Sequence, residues 1–175
     1  MDTAPETAPE SPALVLDGWQ VVALPITHPD AEVLVEQVQQ EYVVRYGGRD
    51  ETPLDPAMFD PPLGSFWVGY RDGVPVVSGA WRRRDDVDAF GTRNTAEVKR
   101  MYVAPAARGL GMARAMLAHL EESARAAGFE ATVLETGLAQ PEAIALYESS
   151  GYLPIAAFGF YAHAPQSRCY AKLLG

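Results

Sequence analysis

Gly109 and Gly111 stand between a strand-like run ending at Val103 and the clearest amphipathic stretch of the chain. That order constrains the fold more than any other feature. Pro105 enforces a turn after the strand. Over residues 109–127, Leu110, Ala113, Met116, Leu117, Leu120 and Ala124 recur every three or four positions, the period of a helix with one buried stripe. Glu121 and Arg125 lie one turn apart on its outer face, and Gly128 ends it. A strand that passes through a glycine turn into a helix belongs to a chain that layers helices on a sheet.

The remaining segments repeat that alternation. Residues 14–24 read as a first strand with a turn or bulge at Gly18. A helix opens at Asp30 after His28-Pro29 and stops at Gly47-Gly48, with a short helix over 55–59 in the Pro-rich stretch that follows. Strands are expected at 66–70 and 74–81 around an Asp72-Gly73 turn, with a charged, exposed turn or strand end at 82–88, and again at 97–103 and 131–135. A short helix over 141–150 is followed by strands at 152–158 and 168–173. The expected fold is a single α/β domain over 13–175 with a mixed sheet, and residues 1–12, acidic and Pro-rich, read as a disordered tail.

Charge and composition exclude several functions. With 175 residues and 48% hydrophobic content, the chain has material for one real core. Fourteen Lys and Arg against 23 Asp and Glu leave a net charge of −9, which disfavours nucleic acid and anionic membranes as partners. A lone Cys169 allows no internal disulfide, and no apolar run reaches membrane-spanning length, so the expected location is the cytoplasm. His28, His119 and His163 lack ligand spacing, so no metal is expected. There is no Gly-x-Ser-x-Gly elbow and no P-loop.

The glycine turn is the chemical feature. Without side chains, Gly109 and Gly111 let a ligand approach the backbone, and the first amides of a helix have no internal partner, so the turn is a ready anion site with Arg108 beside it. A dinucleotide fingerprint fails because position 114 is Arg. An acyl-CoA diphosphate loop, Arg/Gln-x-x-Gly-x-Gly/Ala, is satisfied by residues 108–113, and a ligand-free turn is the plain alternative. In the preceding strand, apolar Val98, Met101 and Val103 slip out of alternation between 98 and 101, as a β-bulge would produce.

Residues 97–111 (EVKRMYVAPAARGLG) and 140–152 (QPEAIALYESSGY) together resemble the two signatures of the GNAT N-acetyltransferase superfamily. The resemblance covers roughly residues 66–174. It implies a mostly antiparallel sheet flanked by helices on both faces, split between the family's fourth and fifth strands. It also implies acetyl-CoA as donor, a primary amine as acceptor, and direct attack through a tetrahedral intermediate. Donor contacts fall by resemblance on Met101, Tyr102, Val103, Arg108, Gly109, Leu110, Gly111, Met112 and Ala113, and on Gln140, which stands where many members have Asn. Tyr147 is placed as the acid for the leaving thiolate, or else packs with its hydroxyl on a backbone carbonyl. The Met101 or Tyr102 amide is placed at the oxyanion.

Glu97 is the first candidate base and Glu135 the second; the plain alternative for Glu97 is an exposed glutamate paired with Lys99 or Arg100. Tyr42, Arg45, Tyr46 and Tyr161, with Glu135, are candidates for the acceptor pocket. Arg45 would hold a substrate carboxylate, or else be solvated or paired internally. A small-molecule amine is the expected partner, with a homodimer left open. Peptide acetylation and non-catalytic acyl-CoA sensing are the alternatives.

Overall fold

The structure is a computed structural model, and it describes residues 14–16 and 18–175. The expected tail at 1–12 lies outside the described residues. Eight strands form one sheet in the order β1-β2-β3-β4-β5-β6-β8-β7. These are β1 (Leu14–Leu16), β2 (Trp19–Ala23), β3 (Gly64–Arg71), β4 (Val74–Arg83), β5 (Thr95–Val103), β6 (Ala131–Gly137), β7 (Leu153–Pro154) and β8 (Ser167–Leu173). All neighbouring pairs are antiparallel except β5 and β6, which are parallel and joined through helix α2 (Met112–Ala126).

Helix α1 (Pro29–Tyr46) covers one face. The His28 side chain accepts the Asp30 amide at 3.1 Å, Pro29 fills the first turn, and Gly47, left-handed at φ 79°, closes the helix on the Val43 carbonyl. Its stripe of Ala31, Leu34 and Val38 is buried against Phe59, Phe66, Val68, Ala80 and Tyr102. On the opposite face Met116, Leu117, Leu120 and Ala124 of α2 pack with Trp81, Val98 and Leu134, joined by Tyr147 of α3 (Pro141–Ser149). Each such buried Leu or Met contributes roughly 1.5–3 kcal/mol.

Several expectations shift. The first strand is a hairpin, because Gly18 at φ 82° turns Leu16 back onto Trp19. Asp72 and Gly73, at φ 51° and 75°, make the left-handed two-residue turn that the Asp-Gly pair implies. Strand β4 runs on through Arg83, so the segment expected as a turn or strand end begins as the strand end, and α2 begins at Met112 rather than Gly109. The strand expected over 152–158 reduces to Leu153–Pro154. Its last ladder bond is Ile155 N–H to the Cys169 carbonyl at 3.0 Å; Gly159 then turns left-handed at φ 82°, and the chain leaves the sheet.

The bulge expected between residues 98 and 101 is present. Arg100 has φ 56°, and the β4–β5 register jumps from Ala80↔Lys99 to Ser78↔Tyr102. On the other side, β5 and β6 pair only from Thr95↔Ala131 to Val98↔Leu134. Beyond those residues the two strands have no shared ladder, and a gap opens. This is the split of the family's fourth and fifth strands, which are β5 and β6 here because the first strand is divided in two.

Candidate active site

A cleft of about 540 Å³ lies at the open end of that gap. Val98, Lys99 and Arg100 of β5 form its floor with Glu135, Thr136 and Gly137 of β6. Tyr42 and Tyr46 of α1, the strap of residues 47–52 and the segment around Tyr161 and 164–167 enclose it. The strap is tied down at several points. Gln39 exchanges bonds with the Asp50 backbone at 2.8 and 3.3 Å, Arg100 Nη1 donates to Asp50 Oδ2 at 2.8 Å, and the Glu51 amide donates to the Tyr161 hydroxyl at 2.8 Å.

Glu135 is half-buried in this wall, and its side chain makes no ion pair or hydrogen bond among the described residues. Its Oε2 lies against Gly159, where a Cβ would come within 3.3 Å. Burial pushes its carboxyl up to about 7, against the opposing pull of Lys99. Glu97 has the opposite environment. It is 2% exposed, and its carboxylate receives Arg82 at 3.0 Å, Arg84 at 2.7 Å and Lys99 at 3.3 Å. Despite its burial, these cations hold it below the ordinary carboxylate range. The expectation that Glu97 is the first candidate base meets this obstacle: its lone pairs are committed and it does not line the cleft.

Tyr147 sits in the core on α3, its ring 5.7 Å from that of Tyr152. Burial raises its hydroxyl well above the ordinary phenol range, and the titratable group that acts on it is Tyr42 of the cleft wall. Tyr42 itself is pushed up to about 12 by burial. Both phenols therefore stay protonated across the neutral range.

Arg45 is paired within the protein. Its Nη1 donates to the Ala139 carbonyl at 2.8 Å and its Nη2 pairs with Glu142, which closes α1 onto the turn between β6 and α3. Tyr46 is part of the same closure. Its hydroxyl donates to Gln140 Oε1 at 3.2 Å, and its ring lies so close to Gly137 that a Cβ there would fall 2.1 Å from the hydroxyl oxygen. The Gln140 amide oxygen is thus engaged by Tyr46.

At the other end of the gap, Gly109 and Gly111 are left-handed at φ 77° and 78°, and an added Cβ would meet nothing within 4 Å at either. The first backbone bond into α2 is Ala115 N–H to the Gly111 carbonyl at 3.1 Å. The amides of residues 109–114 therefore have no backbone acceptor in the protein, and the open space beside the glycines lets an anion reach them. This cradle fits a diphosphate. Arg108 is ion-paired with Glu41 of α1, and its Nε donates to the Val103 carbonyl at 3.0 Å.

Lys99 and Arg100 were missed by the sequence reading as cleft walls. A signal for the ion cluster was present in the spacing. Arg82 lies near the end of β4 and Arg84 just past it, its amide still bonded to the Thr95 carbonyl, while Glu97 and Lys99 sit two apart on β5, so antiparallel pairing puts all four on one face. Among the described residues no group of His, Cys, Asp and Glu is placed to hold a metal, and no helix is long and apolar enough to cross a membrane.

A split parallel pair, a glycine turn with free amides and a cleft at the split are the features that the resemblance implies for an acyl-CoA-dependent acyltransferase. Residues 34–152 match the profile of the Acetyltransferase (GNAT) family, and the chain belongs to that family. It is 37% identical over 141 residues to a protein described as IAA acetyltransferase from Azospirillum brasilense, covering 81% of this chain and 88% of that one. It is 32% identical over 112 residues to the N-acetylaspartate synthetase of Rattus norvegicus, covering 64% of this chain and 36% of that protein. An acetyltransferase structure from Streptococcus agalactiae shares the fold at a TM-score of 0.66 and 21% identity, covering 90% of this chain and 99% of that one.

Proposed function

We propose that the protein transfers an acetyl group from acetyl-CoA to the primary amine of a small molecule, with Glu135 as general base and Tyr147 as general acid. The observation that carries this reading is Glu135 itself, an unpaired carboxyl poised to about 7 in the cleft where β5 and β6 part.

The amides of residues 109–114 take the diphosphate, and the gap beyond Val98 and Leu134 receives the arm, with the Met101 and Val103 backbone as its partners. Acetyl-CoA supplies a thioester carbonyl, activated toward attack. Glu135, once ionised, removes the proton that the amine must shed. The Met101 or Tyr102 amide, at the bulge, faces the developing negative charge on the carbonyl oxygen. Tyr147, held protonated by burial, delivers its proton to the departing sulfur.

Two facts favour a small acceptor. The strap and the Tyr161 segment enclose the cleft to a volume typical of small-molecule sites. The two curated relatives above also carry small-molecule names, IAA and N-acetylaspartate.

The test is thiol release from acetyl-CoA with a panel of small amines and one peptide amine, each product weighed by mass spectrometry. Acetylated small amines are expected. Transfer to the peptide alone would contradict the small-molecule reading. Tight acetyl-CoA binding without transfer to any amine would make the protein a sensor.

A further inference from the structure

The bulge at Arg100 does more than open the sheet. By slipping the alternation it turns Lys99 and Arg100, adjacent in sequence, into the same cleft. The charges behind them do not balance. Arg82, Arg84 and Lys99 share the single carboxylate of Glu97, and the other carboxylate in the group is Asp86, which takes Arg84 at 2.8 and 2.9 Å. While Glu135 carries its proton, three cations thus face two anions, in a setting where Arg82, Arg84 and Lys99 are each at most 12% exposed. An uncompensated charge there is costly unless an anion joins it. Lys99 is the member that lines the cleft, and it holds Glu97 at the longest distance of the three, 3.3 Å.

The other cleft cations are committed. Arg100 is paired with Asp50 at 2.8 Å, and Arg49 clasps both oxygens of Glu36 at 2.9 and 2.8 Å. Arg45, read from sequence either as a carboxylate contact or as an internally paired side chain, is closed on Ala139 and Glu142. Lys99 and Glu135 act on one another electrostatically across the cleft floor yet form no direct ion pair.

We infer that Lys99 binds a carboxylate of the acceptor, so that the acceptor is a small amine carrying an acid group, an amino acid in the broad sense, with its amine presented to Glu135. This rests on the transferase reading above. A zwitterion places one group of each sign within a few bonds, which is what an unpaired carboxyl and a surplus ammonium on one cleft floor would hold. Lys99 is a specificity-determining residue in this arrangement, and the reacting atoms belong to the amine end.

The experiment compares amino acids with their own carboxamides as acceptors, using the wild type, Lys99→Met and Lys99→Arg. Wild type should favour the acid over the amide by roughly 10- to 100-fold in kcat/KM, mostly through KM, the range of a charge-assisted hydrogen bond. Lys99→Met should bring that ratio close to one, and Lys99→Arg should restore most of it. The amides have less basic amines, but that difference is common to all three enzymes and cancels in the comparison. Equal use of acid and amide by the wild type, or a preference that survives in Lys99→Met, would overturn the inference and leave the transferase standing. No transfer to either set, with acetyl-CoA still bound in calorimetry, would overturn the transferase reading and this inference together.

Discussion

Arg108, at the head of the glycine turn, is ion-paired with Glu41 on α1, so the donor loop and the helix that walls the cleft are joined through one side-chain contact. A diphosphate on the free amides of residues 109–114 competes with Glu41 for this guanidinium. Glu41→Gln should therefore tighten acetyl-CoA binding, by less than about tenfold because both partners are partly exposed. Isothermal calorimetry measures it. Weaker binding in Glu41→Gln would mean that Glu41 holds Arg108 in its binding position instead.

In the proposed donor site Gly111 acts through its backbone. At φ 78° it sits where a β-branched residue is a steric outlier, and its open side is the approach to the amides. Gly111→Val should abolish detectable acetyl-CoA binding while circular dichroism still reports a folded protein. Unchanged affinity would remove the diphosphate from this loop.

Glu97 holds the sheet together by neutralising cations. Replacing it with Gln would leave Arg82, Arg84 and Lys99 buried around a neutral amide, a loss of about 3–5 kcal/mol for breaking such a group. Its folded carboxyl lies below the ordinary range, so the stability it contributes is present above that range and is lost as pH falls through the folded value. Thermal unfolding of Glu97→Gln should show a large drop in Tm, and the fraction still folded should keep transferring acetyl. A stable but inactive Glu97→Gln would return the base role to Glu97.

Tyr147→Phe separates acid from packing. As the proton donor, its hydroxyl acts in the transition state, so kcat should fall by about 10²–10⁴-fold with little change in KM for acetyl-CoA. Steady-state kinetics decides. A loss under about tenfold would make Tyr147 a packing residue of the α3 core, and a raised KM with kcat spared would make it a donor-binding contact.

The glycine turn and the bulge were both legible in the sequence. Gly109 and Gly111 are needed because the chain must turn left-handed twice before α2, and the slip between Val98 and Met101 is written in the apolar pattern itself. The roles of the charged residues were not. Glu97 looks like a free glutamate until β4 pairs with β5 and brings Arg82 and Arg84 onto it. Arg45 looks available until α3 offers Glu142 and the turn before it offers the Ala139 carbonyl. Glu135, the second choice from sequence, gains its weight from burial and the lack of a partner, which only the packing of residues distant in the chain supplies. The strand expected at 152–158 failed for a different reason: its apolar residues, such as Ile155 and Phe158, pack as a loop with Val87, Val133 of β6 and Ala171 of β8, with Gly159 turning the chain away.

The pH profile of kcat/KM, measured for wild type and Glu135→Gln, tests the central claim that Glu135 is the base. The base must be ionised to act, and burial raises its carboxyl to about 7, so wild-type activity should fall as pH drops below that value. Glu135→Gln should lose roughly 10²-fold or more at pH 8 and should lack this acid limb. A Glu135→Gln enzyme that keeps both the wild-type rate and the same limb near pH 7 would contradict the account.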